Sequence, residues 1–317
     1  MTRVITIANF LQTHGWDDAQ HTAFAADFSS RRYARLEKPN GQRAILMDAD
    51  ADQKTLQFVA LAKYLRTIKI SAPEIYAADA ENGLVLLEDF GDQNTGQVLD
   101  DNGDVENIFQ NATCLIAHLH KNFQPTLVTG LPLFDTAYFT KQVELYLDHY
   151  LPVAEGREAS PDERDDFRAA WQTVLRPMDA LPRSLVLRDF MPDNLMLLPK
   201  RKSFQHLGVL DFQDAGIGPV AYDLMSLCET VRRDGGDAQL DKVLETYIRE
   251  SESNLSHTDL KRACIILSAQ RHMRVLGIIA RLAQKGRGEK LAFLPRIEYA
   301  IERLLQDRAL MPIKAYC

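Results

Sequence analysis

Cysteine is scarce in this chain. Cys114, Cys228, Cys264 and Cys317 stand far apart and form no Cys-x-x-Cys pair. That spacing excludes a zinc ribbon and a disulfide framework, and predicts reduced core or terminal thiols. No Gly-x-x-x-x-Gly-Lys-Ser/Thr occurs, so a P-loop fold is excluded. Long apolar runs are missing too. The most apolar stretch, Ala263 to Ala283, is broken by Gln270, Arg271, His272, Arg274 and Arg281, which predicts no membrane span. No cationic leader opens the sequence, and a cytoplasmic protein is expected. There is no excess of positive charge: the net charge of −7 argues against nucleic acid or anionic membranes as partners. No protein partner is evident, and there are no internal repeats.

What remains is an ordinary globular composition. With 317 residues, 46% hydrophobic and 26% charged, the chain can build one large domain or two lobes. Its most informative stretch runs from Leu185 to Ala215. Leu185–Leu187, Leu195–Leu198 and Leu207–Leu210 read as three buried strands, the last two joined by a basic turn over Pro199–Ser203. Strands ending on Asp189 and Asp211 bring carboxylates out of a core at one edge. Five positions separate Asp189 from Asn194, the spacing of a kinase catalytic loop, and Asp211-Phe212 stands where a metal-binding Asp is needed. Downstream lies Gly218-Pro219-x-x-Tyr222-Asp223-Leu224. The combination predicts phosphoryl transfer from ATP: Asp189 orients the attacking hydroxyl, while Asn194 and Asp211 hold Mg²⁺ on the nucleotide phosphates. Asp223, near a helix start, reads as a structural cap and loop anchor.

Taken in order, residues 4–28 carry an amphipathic pattern with a loop at His14-Gly15. A hairpin follows, Tyr33–Glu37 and Ala44–Met47 around Pro39-Asn40-Gly41, then a helix from Lys54 to Ile68. Pro73–Ala78 and Leu84–Glu88 read as strands around Asn82-Gly83. This order predicts an antiparallel sheet carrying one helix over residues 1–90, a nucleotide-binding lobe. The polar stretch Gly91 to Gly103 reads as a connector, and residues 91–317 as a mainly helical catalytic and substrate-binding lobe. Helices are expected at roughly 104–121, 135–151, 161–180, 221–233, 237–251, 256–285 and 288–308. The fold class is α+β, two-lobed, with nucleotide between the lobes.

On the phosphate side, the hairpin beginning Ser29-Ser30-Arg31-Arg32 has no Gly-x-Gly-x-x-Gly. Hydroxyls, backbone amides and an Arg are the candidates for holding phosphate. The third strand carries Met47 near the position where kinases have a Lys, and the helix from Lys54 to Ile68 contains no Asp or Glu to pair with one. The two losses agree, since keeping one partner would leave a buried charge costing about 3–5 kcal/mol. Glu88 and Phe90, at the end of the last strand, are the hinge peptides expected at the adenine edge. On the acceptor side, Arg271 and Arg274 share a helix face and could meet a sugar-acid carboxylate. His272 and Asp214 are further candidates, although a solvated face would show the same pattern.

These residues resemble the aminoglycoside phosphotransferase/choline kinase family, which has a protein-kinase-like fold. Within it they are most similar to bacterial N-acetylmuramate/N-acetylglucosamine anomeric kinases of cell-wall recycling. The resemblance rests on Ser29–Leu36, Met47-Asp48-Ala49, Val209–Ala215 with Gly218–Leu224, and Gln270–Gly277. It implies the roles given above for Asp189, Asn194 and Asp211, and implies that the missing Lys at Met47 is normal for that branch. The acceptor it implies is the anomeric hydroxyl of a cell-wall amino sugar. An aminoglycoside or another small alcohol, or a nucleotide-binding pseudokinase, are the alternatives. One position departs: Leu187 stands where the family has a His that braces the loop, with Arg188 a candidate substitute.

Overall fold

Alternation of side chains along two hairpins builds the first sheet of the structure, a computed structural model that describes residues 2–24, 31–49, 53–101, 103–230, 233 and 236–316. In chain order the N-terminal elements are α1 (Arg3–Thr13), β1 (Gln20–Ala23), β2 (Arg32–Glu37), β3 (Arg43–Asp48), α2 (Gln53–Thr67), β4 (Ile75–Asp79), β5 (Leu84–Leu87), α3 (Thr95–Asp100) and α4 (Val105–Asn122). Then come α5 (Thr136–Leu145), α6 (Leu151–Glu155), α7 (Pro161–Leu175), β6 (Arg183–Val186), β7 (Leu195–Leu197), β8 (Leu207–Val209) and β9 (Gly216–Pro219). The chain closes with α8 (Ala221–Cys228), α9 (Gly236–Ser251), α10 (His257–Gln284) and α11 (Leu294–Leu304).

The chain forms two compact units. The first comprises Met1–Leu115, Asn122–Gly130 and Pro192–Asp214. Its sheet has the order β1-β2-β3-β5-β4, antiparallel throughout. Ala44, Leu46, Leu84 and Leu86 share one face with Phe10, Leu11, Trp16 and Leu36. Successive residues of a strand point to opposite faces, so Ile45, Met47, Val85 and Leu87 bury the other. Of the apolar face expected on α2, Phe58, Leu61, Ala62 and Leu65 are buried, while Ile68 lies just past the end of the helix at Thr67 and is only half-buried. Helix α1 ends at Thr13, so the loop expected at His14-Gly15 is where the helix stops, and β1 then forms the sheet edge with all four side chains exposed; residues 25–28 of the amphipathic stretch lie outside the described residues. An edge strand exposed on both faces has no apolar period to read.

The first unit runs past residue 90, where the sequence reading divided the chain. The connector contains α3, started by a capping box in which Asn94 accepts from the Gln97 amide and Gln97 accepts from the Asn94 amide. The segment 192–214 joins the same unit. The Val209 amide donates to Ser71 O at 2.8 Å, and the Leu197 amide to Gln93 O at 2.9 Å.

The second unit comprises Ile116–Lys121, Leu131–Met191 and Ala215–Cys317. The three strands expected to share an edge are split between ladders. β7 pairs with β8 in the first unit, while β6 pairs with β9 in the second. Gly216 and Pro219 hid β9, since both disfavour strand interiors. Helix α5 passes through a π-helical turn, Tyr146–Tyr150, into α6. Helix α8 ends at Cys228, short of the expected 233, and residues 288–293 form a 3₁₀ segment before α11.

Helix α10 is the axis of this unit. By length and composition it could cross a membrane, contrary to the sequence expectation, but 83% of its most apolar window is buried in the protein. Its polar residues are buried as well: Gln270, Arg271, His272 and Arg274 are 1–6% exposed, so the solvated-face reading is overturned. At Gly277 the helix backbone meets α5, where a Cβ would lie 2.2 Å from Leu145 O. Because the clash is with backbone rather than a flexible side-chain tip, Gly277→Ala should cost at least about 1–3 kcal/mol. A lowered chemical-denaturation midpoint would show it, and an unchanged midpoint would contradict this close approach.

Candidate active site

In the second unit the site is built on a buried carboxylate. Asp223 is fully buried on α8 and accepts from the Leu187 amide at 2.6 Å and the Arg188 amide at 2.9 Å. Burial pushes its carboxyl up to about 7, and Asp189 adds to this, against the pull of the two amides and of Arg271. The anchor role expected for Asp223 is what this geometry gives. Arg188 is held at φ 73°, a left-handed conformation that costs a non-glycine residue roughly 1–3 kcal/mol and persists only where the surroundings impose it. Its carbonyl accepts from Arg271 Nη1 at 2.8 Å, which also donates to Ser226 Oγ at 2.6 Å. Arg271 Nη2 donates to Asp189 Oδ1 at 3.0 Å. The brace for the loop is therefore Arg271 with Asp223, and Leu187 is simply buried.

Arg271 is engaged by Asp189, whereas Arg274, one turn along α10, is not so engaged. Arg274 is 6% exposed and its Nε has no hydrogen-bond partner. Burial lowers its pKa, with Arg188 and Arg271 adding to the effect and Tyr222 and Asp189 opposing it. It lines a tightly packed cleft with no free volume for a water molecule, together with Arg188 and Gln270, between Phe134, Tyr138, Phe139 and Tyr222. His272 points elsewhere. Its Nδ1 lies 2.8 Å from Ser268 O, and its ring lines a different cavity with Glu229, Thr230 and Arg296.

In the first unit, Asn194 and Asp211 flank the β7–β8 ladder. The Leu210 amide donates to Asn194 O at 3.0 Å, extending the Leu195–Val209 pairing by one step and setting Asn194 beside the start of the Asp211 turn. Asp211 has φ 58°, and its Oδ1 accepts from Gln213 Nε2 at 2.6 Å. Phe212 is fully buried and stacks on Phe58 of α2, with centroids 5.0 Å apart and planes at 6°. Asp214 is paired with Lys54 Nζ at 2.8 Å. These two contacts tie α2 to the Asp211 segment, and on β3 the uncharged Met47 is fully buried.

Of the phosphate-side candidates, Arg32 pairs with Asp48 at 2.9 Å. Arg31 sits with Tyr33, whose phenol is pushed up by burial and by Asp211 and pulled down by Arg31, so Arg31 is the cation on the Asp211 side. Ser29 and Ser30 lie outside the described residues. The Glu88 amide already donates to Glu74 O at 2.8 Å, and its carboxylate takes Arg201. Phe90 is buried beneath the Arg201 guanidinium at 5.4 Å, and its backbone has no hydrogen bond among the described residues. Of the two expected hinge peptides, Phe90 is the one left open to a partner. The donor set fits magnesium: one amide and one carboxylate supply hard oxygens, as expected for an ion held largely by substrate phosphates.

A model of the phosphotransferase enzyme family matches residues 20–257. The chain belongs to this family. It is similar to the N-acetylmuramate/N-acetylglucosamine kinases of Pseudomonas aeruginosa, with 33% identity over 93% of this chain and 87% of the relative, and Pseudomonas putida, with 32% over 90% and 84%. Among solved structures, the GDP complex of aminoglycoside 2'-phosphotransferase-IIIa superposes with TM-score 0.69 at 13% identity over 96% of this chain and 99% of that one. A choline kinase from Streptococcus pneumoniae gives 0.68 at 13% over 96% and 99%. The fold of this phosphotransferase is therefore the kinase-like α+β fold, and the enzyme transfers a phosphoryl group to a hydroxyl acceptor.

Sequence reasoning missed the Arg271–Asp189 bond, the Lys54–Asp214 pair and the Phe58–Phe212 stack. Each joins residues more than eighty positions apart, and no local spacing signals such contacts. Asp223→Asn leaves one acceptor oxygen for two amides, so one buried donor loses its partner at about 1–3 kcal/mol. The phosphotransferase variant should unfold at lower denaturant, measured by circular dichroism. Stability equal to the parent would show that the two amides do not depend on the carboxylate.

Proposed function

We propose that the enzyme transfers the γ-phosphoryl of ATP to the anomeric hydroxyl of a cell-wall amino sugar, the acceptor type named for its Pseudomonas relatives. One observation favours this acceptor over a polycationic antibiotic: the surroundings of Asp189 in its own unit are cationic, with Arg188, Arg271 and Arg274 near it and Asp223 buried behind the loop. An aminoglycoside calls for a ring of acids instead. Peptidoglycan recycling in the cytoplasm is the setting such a reaction fits.

In this reading Asp189, held by Arg271, accepts a hydrogen bond from the acceptor hydroxyl and aims its lone pair in line with the phosphoryl group. Asn194 and Asp211 hold Mg²⁺, Arg31 supplies phosphate-side charge in place of the missing Lys, and the Phe90 peptide meets the adenine edge. Bound Mg²⁺ would neutralise charge on the phosphoryl oxygens. The α2 contacts through Phe58 and Lys54 support an active enzyme rather than a pseudokinase, because they hold the Asp211 segment without the Lys–Glu pair.

ADP release with ATP and Mg²⁺ should appear with N-acetylmuramate or N-acetylglucosamine, and not with kanamycin, choline or homoserine above a water blank. Asp189→Asn and Asp211→Asn should each lower kcat by at least about 10²-fold. Turnover on another acceptor would discard the amino sugar, and silence with every acceptor would discard the enzymatic reading.

A further inference from the structure

Buried guanidinium groups in protein cores are ordinarily hydrogen-bonded and paired, because an uncompensated buried charge is strongly destabilising. Arg271 follows that rule, with Asp189, Ser226 and the Arg188 carbonyl as partners. Arg274 breaks it. It is 94% buried by its 6% exposure, its Nε is unpartnered, and no described carboxylate forms an ion pair with it. Its charged neighbours make matters worse, since two of them, Arg188 and Arg271, are also cations. An arginine remains protonated under such conditions. A second orphan faces the same cleft: Gln270 Nε2 donates to Phe139 O at 3.1 Å, but Gln270 Oε1 has no donor. Arg274 thus lacks an anion and Gln270 a donor, and the aromatic rings behind them, Phe134, Phe139 and Tyr222, are fully buried.

The placement is also right. Arg271 and Arg274 lie three residues apart on α10, about 4.5 Å along the helix axis. Arg271 touches Asp189, so Arg274 stands one turn away from the residue that orients the acceptor hydroxyl. The two amino sugars named for the relatives differ in one group. N-acetylmuramate carries on C3 a lactyl ether ending in a carboxylate, where N-acetylglucosamine has only a hydroxyl. A sugar whose anomeric hydroxyl meets Asp189 therefore directs that carboxylate away from the reacting end.

We infer that Arg274 is the specificity-determining residue that binds the acceptor's carboxylate, selecting amino sugars with an acidic ether arm over neutral ones. This rests on the amino-sugar reading given above. The planar guanidinium can receive a carboxylate through two parallel N–H···O bonds, which an ammonium cannot reproduce. The incoming anion completes the coordination that the folded chain leaves open.

The test compares kcat/KM for N-acetylmuramate, its methyl ester and N-acetylglucosamine in the parent enzyme, Arg274→Gln and Arg274→Lys. The parent should prefer the acid to its ester. In Arg274→Gln the selectivity for N-acetylmuramate over N-acetylglucosamine should fall by roughly 10- to 100-fold, the usual effect of losing a charge-assisted hydrogen bond, and acid and ester should become alike. The change should lie mainly in KM, and Arg274→Lys should recover only part of it. A parallel loss on both sugars would assign Arg274 to packing and overturn the inference. So would a parent enzyme that treats acid and ester equally, a comparison that does not depend on any variant folding. A parent enzyme silent on both amino sugars would overturn the function proposed above, and this inference with it, which sets that failure apart from the others.

Discussion

The loop carrying Asp189 depends on one carboxylate with no access to water. Asp223 gathers the amides of Leu187 and Arg188, which lets Arg188 hold a backbone conformation that an L-residue ordinarily avoids. Turned this way, Arg188 presents its carbonyl to Arg271, and Arg271 in turn fixes Asp189. Remove the carboxylate and two amides lie unpaired in a dry core, with nothing to compensate for the strained residue between strand and loop. The chain of dependence runs from a helix-borne acid, through backbone, to the carboxylate of Asp189.

The two units organise charge differently. In the first, the acids near the nucleotide-side residues are matched one by one: Asp48 with Arg3 and Arg32, Asp89 with Arg35, Asp214 with Lys54. Asp211 is oriented by an uncharged partner, Gln213. In the second, three cations, Arg188, Arg271 and Arg274, gather around Asp189.

Much of the fold was legible because its signals are local. The hairpins, α2, and the helices from α4 onward announce themselves through period and turn residues, and the Asp–Asn spacing with Asp211-Phe212 marks the reacting segments. Elements without an apolar period escaped: the four side chains of β1 are all exposed, β9 is glycine or proline at three of its four positions, and α3 is signalled only by its Asn94–Gln97 cap. In the site, residue types were readable but their partners were not. Arg271 and Arg274 occupy one helix face in sequence and are indistinguishable there; only their contacts separate a residue that positions the base from one whose charge awaits a partner.

The stack of Phe58 on Phe212 has a consequence for how such an enzyme responds to its surroundings. Where α2 and the metal-binding segment are coupled by opposite charges, salt or a nearby phosphate can loosen the link. Here the charged contact, Lys54 with Asp214, is half exposed and worth little. Two parallel rings in a dry core carry the coupling instead, and ionic strength does not screen an apolar contact. The contact between α2 and the Asp211 segment is therefore little changed by ionic strength, whatever the electrolyte around the enzyme.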